Sequence, residues 1–351
     1  MNGTKEVTVV KPSELVEIIK FAVINSLNIL IVGPPGCGKT YLTNKVASMV
    51  KANMAVIYTS TSDPTEVKGF PFPKKNGNST EADFLLYGQM AELVKTNKLT
   101  VCFLDDFGQA SPAVQASWMN PLQSRIVNGQ KISDKVRFVL ATNRREDGAN
   151  VHGILEPIKS RMHIIVQVKP DLDDFLEWWL EEELPVEIYG YLRSNPQRLW
   201  DFKPSKDIVN YPCPRTWEYA GKAFKAGMPK GLEMAILAGA VGDGDAMALL
   251  SFIDIMKEAV DPDMVFKDPV HTPIPERTAV MFGLMAALVF KLNKDNFRPF
   301  LKYARRLSIE FSSKLRYDAL VKARIGKFDI TGCEEYGDLV RYTGNVMMNN
   351  K

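Results

Sequence analysis

Apolar positions in the first 170 residues switch repeatedly between two periods. Leu15, Ile18, Ile19, Ala22 and Val23 recur at helical spacing behind Pro12–Ser13, which predicts a capped helix. Asn28–Val32 is a short apolar run that stops at a glycine, the pattern of a buried strand; Met54–Thr59, Thr100–Leu104 and Val136–Ala141 read the same way. Helical stretches lie around Tyr41–Val50, Gly88–Lys95 and Ala113–Gln123. Strands that alternate with helices predict a mostly parallel sheet covered on both faces. Two segments break the alternation. Phe70–Pro73 and Lys74–Thr80 carry a turn signal at Asn76–Gly77, with a strand-like Phe84–Tyr87 behind them, and Arg125–Ile132 places Asn128–Gly129 between β-branched residues. Both predict hairpins inserted into the α/β core, the second with a type I′ turn.

After Lys169–Pro170 the period becomes helical throughout. Leu172, Phe175, Leu176, Trp179 and Leu180 form one apolar face, opposite an acidic face of Asp173, Asp174, Glu177 and Glu181. Helices continue to the C-terminus, separated by turn-rich stretches at 195–214 and 261–275.

Composition narrows the classes. The 351 residues are 46% hydrophobic and 24% charged, as in ordinary globular protein, so disordered and fibrous classes are excluded. A net charge of +3 is too small to mark the whole chain as a nucleic-acid or membrane binder. The longest apolar run, Ala279–Phe290, is 12 residues, a buried-helix length, and the N-terminus has no apolar signal core. Cys37, Cys102, Cys213 and Cys333 form no CxxC pair, and the three histidines form no ligand cluster. A cytoplasmic protein without membrane, disulfide or zinc chemistry is expected.

The chemistry concentrates at strand ends. Gly33-Pro34-Pro35-Gly36-Cys37-Gly38-Lys39-Thr40 fits G-x-x-x-x-G-K-[ST] between a strand and a helix. Its glycines turn backbone N–H groups onto phosphates, and the following helix, from Tyr41, offers its positive end. Lys39 would reach the β- and γ-phosphates and Thr40 would hold magnesium. The strand Val101–Leu104 ends in Asp105 and Asp106, a like-charged pair that needs a task. Asp105 suits an outer contact to magnesium and Asp106 suits the orientation of a hydrolytic water. Val139–Thr142 leads to Asn143, which can bond that water or the γ-phosphate; Arg161 ends a short helical piece, and Arg215 opens a helix in the second half.

Together GPPGCGKT, VCFLDD, the VLATN strand, the LEPIKSR segment, Cys213-Pro214-Arg215 and both hairpins resemble the AAA+ ATPases, and among them the MoxR branch, over about Asn28–Lys222. Ser62–Gly69 resembles that branch's lead into its first hairpin. With the resemblance, the chain is expected to divide into an α/β core at residues 1–170, an all-helical lid at 171–245 and, outside the resemblance, a helical extension at 246–351. It makes Lys39 and Thr40 the Walker A pair, Asp105 the Walker B magnesium residue, Asn143 sensor 1, Arg161 a finger acting on a neighbour's nucleotide and Arg215 sensor 2. Arg144 and Arg145 are rival fingers. It further implies ATP and Mg2+, a homo-oligomeric ring, most often hexameric, and a chaperone-like remodelling of a protein partner, commonly one with a von Willebrand A-type domain, here on a separate chain. Asp106 departs from the glutamate of most relatives and is one methylene shorter, so a nucleotide-gated binding module with little hydrolysis is a rival reading. Residues 291–327 carry 11 Lys or Arg against three acids, a net +8, with interleaved aromatics, which makes a nucleic-acid motor or loader the other. Phe300, Ala304, Leu307 and Phe311, however, fall at core spacing.

Overall fold

A computed structural model describes residues 7–76, 79–148, 152–202 and 207–328. The chain divides into two compact units, residues 1–171 and 172–351.

The first unit holds ten strands: β1 Val9–Val10, β2 Ile29–Val32, β3 Asn53–Tyr58, β4 Phe70–Asn76, β5 Ser79–Leu85, β6 Thr100–Asp105, β7 Ile126–Val127, β8 Gln130–Lys131, β9 Val136–Thr142 and β10 Ile164–Val168. Six form one sheet in the order β1-β10-β2-β9-β6-β3, every neighbouring pair parallel. The continuous apolar runs are explained by burial on both faces. Successive residues of a strand point to opposite sides. Leu30, Cys102, Leu104, Phe138 and Leu140 therefore enter one core, and Ile29, Ile31, Val101, Phe103, Val139 and Ala141 enter the other.

The second of these cores is closed by α1 (Pro12–Ile24), through Leu15, Ile19 and Val23, and by α2 (Lys39–Met49), through Leu42 and Val46. The first is closed by α3 (Pro64–Lys68), α4 (Gly88–Lys95), α5 (Pro112–Ser117), α6 (Met119–Ser124) and α7 (Glu156–Lys159). The single helix expected over Ala113–Gln123 is thus two, which meet at Trp118, a fully buried ring at the bend.

Both inserted hairpins are present. β4 and β5 pair antiparallel from Phe70↔Leu85 to Asn76↔Ser79, so the second strand ends at Leu85 and not at Tyr87. The turn residue Gly77 lies outside the described residues. Pro71 and Pro73 fall on alternate positions of a two-stranded ribbon, where an N–H facing outward has no ladder bond to lose. In the β7–β8 hairpin, Asn128 and Gly129 take φ 44° and 77°, both left-handed as a type I′ turn demands.

The second unit is helical: α8 (Leu172–Glu181), α9 (Val186–Ser194), α10 (Pro214–Ala226), α11 (Glu233–Val241), α12 (Asp243–Met256), α13 (Pro262–Lys267), α14 (Thr278–Lys291), α15 (Phe297–Ala304) and α16 (Ile309–Ile325). One hydrophobic core runs through it from Phe175 to Ala323. Residues 245 and 246 both lie in α12, and the core on either side of them is continuous. Arg193 of α9 is buried between Asp173 of α8 and Asp318 of α16, which ties three helices by charge. The basic stretch behaves as the core spacing predicts: Phe297, Phe300, Leu301 and Ala304 are buried, while Arg298, Lys302 and Arg305 stay exposed. Among the described residues no helix is long and apolar enough to cross a membrane.

Candidate functional site

Parallel strands deliver their C-terminal ends to the same edge of the sheet, and ligands bind there where the strand order reverses. β2 lies between β10 and β9, and β6 lies beyond β9. Val32 of β2 pairs with Thr142 of β9, so Gly33 and Asn143 leave the sheet side by side, joined by the Gly33 N–H to the Thr142 carbonyl at 3.1 Å. β6 brings Asp105 and Asp106 to that edge.

The loop 33–38 is shaped by its glycines. Gly36 and Gly38 have φ of 75° and 93°, in the left-handed region where a side chain is strained. Gly38 caps α2, whose first residues are Lys39 and Thr40. Such a helix start presents N–H groups and a positive dipole end to an anion. Cys37 is buried beneath the loop and Tyr41 is exposed on α2.

Lys39 is almost wholly buried, and its ammonium group donates three hydrogen bonds: to the carbonyls of Gly33 at 2.9 Å and Pro34 at 3.0 Å, and to Asn143 Oδ1 at 2.8 Å. The charge is therefore held at the mouth of the loop by oxygens alone. Beside it the Thr40 hydroxyl donates to Asp105 Oδ2 at 3.0 Å. Asp105 is itself anchored: its carbonyl accepts from the N–H and hydroxyl of Thr59, and its Oδ1 accepts the Asp106 N–H. A hydroxyl oxygen backed by a carboxylate suits magnesium, which would take the hydroxyl together with phosphate oxygens and water, the carboxylate holding those waters from outside. The residues present fit such an ion. Among the described residues no group of three or more His, Cys, Asp or Glu could hold a metal by itself.

Asp106 takes a left-handed φ of 52°, and its Oδ1 accepts from Gln109 Nε2 at 3.1 Å and Asn143 Nδ2 at 3.4 Å. Lys39, Thr40, Asp105, Asp106 and Asn143 thus form one hydrogen-bonded cluster. Gln109 was not expected from the sequence; its place depends on a backbone turn without a motif of its own.

Arg161 lies beyond α7, before β10, and so at the N-terminal edge of the sheet. The Asn28 amide, at the start of β2, donates to its carbonyl at 3.1 Å, while its guanidinium donates to the carbonyls of Met119 and Pro157. One strand length, about 15 Å, separates that edge from the phosphate loop. Arg144 follows Asn143 but is bound by Asp147, at 2.6 Å, and by Glu146, at 2.8 Å, and these carboxylates raise its pKa. Arg145 is exposed and packs against Gly153. Arg215 is exposed in the first turn of α10, in the second unit.

Residues 28–162 match the family model described as the AAA domain of the dynein-related subfamily. The matched stretch contains every site residue named above except Arg215. The parallel sheet, the phosphate loop and the two carboxylates at the end of β6 accordingly belong to a P-loop AAA+ fold. Among solved structures, the chain is similar to the RuvB Holliday junction branch migration motor of Thermotoga maritima at 16% identity, with 74% of this chain and 75% of that one covered and a TM-score of 0.38. NtrX from Brucella abortus, in complex with ADP, is similar at 15% identity, with 95% and 68% covered and a TM-score of 0.38. None of the curated proteins matches the chain.

Proposed function

We propose, taking the AAA domain at residues 28–162 as the premise, that this chain is a magnesium-dependent ATPase whose subunits work in a ring to remodel a protein partner, in the manner of the MoxR branch. The observation that carries the reading is the cluster at one sheet edge, where a buried lysine, a hydroxyl–carboxylate pair and a second carboxylate converge. On this reading Lys39 exchanges its loop carbonyls for β- and γ-phosphate oxygens, which it meets with the same three donors. Thr40 and Asp105 hold Mg2+, which when bound neutralises developing phosphate charge. Asp106 orients the attacking water and Asn143 bonds it or the γ-phosphate. Arg161 lies at the opposite sheet edge from its own loop, so it serves as the finger of a neighbouring subunit, and Arg215 is assigned the part of sensor 2. The ring is a homo-oligomer, with six subunits the first expectation, working in the cytoplasm on a protein that could carry a von Willebrand A-type domain.

The experiment is ATP turnover with and without magnesium, together with nucleotide titration. Lys39→Ala removes the charge facing two phosphates, so tight ATP binding and turnover are both expected to disappear while the fold survives. Unchanged nucleotide affinity would overturn the phosphate-loop reading. Absent turnover with tight binding in the wild-type chain would favour the nucleotide-gated module instead.

A nucleic-acid motor is the second reading, favoured by the exposed Arg298 and Lys302 on α15 and Arg305 at its C-terminal cap. DNA binding that falls steeply with salt, with stimulated turnover, would support it.

A further inference from the structure

Three residues after Asp106 the chain returns to it. Asp106 opens the 3₁₀ turn Phe107–Gln109, and the Gln109 N–H donates to the Asp106 carbonyl at 2.9 Å. With three residues per turn, side chains three apart lie one above the other. The Gln109 amide therefore falls over the Asp106 carboxylate, and Nε2 donates to Oδ1 at 3.1 Å. Asn143 Nδ2 reaches the same oxygen from β9, at 3.4 Å. Below them the left-handed backbone of Asp106, rare for a residue with a side chain, is held by its N–H on Asp105 Oδ1 at 3.0 Å.

The other end of the amide is less well served. Gln109 Oε1 is buried without a hydrogen-bond partner. A side chain kept for packing alone gains nothing from such a carbonyl, because leucine fills the same space without losing hydration. What the glutamine supplies and leucine lacks is the donor on Asp106.

We propose that Gln109 is a positioning residue for hydrolysis. It fixes the rotamer of the Asp106 carboxylate, so that a side chain one methylene shorter than glutamate still meets the attacking water in one orientation. This rests on the reading of Asp106 as the group that orients water, and goes beyond it by naming what holds that group.

The test is a double-mutant cycle on the full chain: Gln109→Leu, Asp106→Asn and the pair, measured by kcat, KM, nucleotide affinity and melting temperature. Gln109→Leu is expected to lower kcat about 10- to 100-fold, the scale of a small misplacement of a reacting group. KM, nucleotide affinity and melting temperature should hold, which separates positioning from misfolding. In the Asp106→Asn background the same substitution should cost nothing further, because the group it positions is gone. Gln109→Glu provides a second variant: it keeps the length of the side chain but replaces the donor with a like charge, so kcat should fall at least as far as in Gln109→Leu while nucleotide affinity holds. Wild-type turnover in Gln109→Leu beside a crippled Asp106→Asn would overturn this proposal alone, as would equal losses from Gln109→Leu in both backgrounds. Wild-type turnover in Asp106→Asn would overturn the reading of Asp106 itself, and this proposal with it.

Discussion

At Gly33 one methyl group separates a sheet that closes from one that does not. A Cβ built there would lie 2.6 Å from Val168 Cγ1 and 3.1 Å from the Val168 carbonyl, because β2 leaves the sheet directly against β10. Valine cannot yield easily, since its branched side chain has few rotamers. Gly33→Ala is expected to destabilise the chain by about 1–3 kcal/mol, read as a melting point lower by several degrees. An unchanged melting point would mean that β10 shifts freely. Gly38 differs in kind: a Cβ there meets nothing within 4 Å, but its φ of 93° would strain any side chain. At this scale the motif letters were legible in the sequence, because Asp105, Asp106 and Asn143 follow apolar strand runs and Lys39 and Thr40 close a glycine loop between a strand and a helix. Gln109 was not legible, since its contact depends on the left-handed turn at Asp106, and an aspartate gives no sign of that conformation in advance.

The inserted hairpins belong to the scale of elements, and they are joined. Asn128 of the second donates through Nδ2 to the Lys68 carbonyl at the root of the first, and Gln130 Nε2 donates to the Phe84 carbonyl at 3.4 Å. Phe70 and Phe72 stand roughly half exposed on the first hairpin, with Phe70 stacked on Tyr87 at 5.0 Å. Half-exposed rings contribute little to stability. If these exposed rings are where a protein partner docks, replacing both by serine should leave basal turnover and the melting temperature nearly unchanged while partner stimulation falls. A lower melting temperature with stimulation intact would mean that the rings only pack on their own domain. The second hairpin was readable because Asn128–Gly129 demands two positive φ angles; in the first, Asn76 is itself the last paired residue of β4, so the turn signal there was one residue early. The break at Trp118 was not readable, because apolar residues continue at helical spacing across it. Nor was β1: two residues carry no measurable period.

For the whole molecule, the position of Arg161 decides whether a site is private or shared. A guanidinium offers paired donors to the outer oxygens of a phosphate in transfer. Arg161→Ala should keep ATP binding and lose turnover by roughly three orders of magnitude. Mixing it with Lys39→Ala protein should restore part of the activity, since a mixed ring can set an intact loop beside an intact arginine. No recovery despite proven subunit exchange would refute sharing, and Arg144 and Arg145 would be tested next. The sheet adds a condition of its own. The loop and Arg161 occupy opposite edges, so the surfaces that meet across a shared site are two different surfaces. Such an interface is head-to-tail, and a two-fold dimer cannot satisfy it. An open row of subunits always has one loop without an arginine and one arginine without a loop, and only closure into a circle removes both ends. Turnover per subunit should then rise with protein concentration and level off where the circle closes.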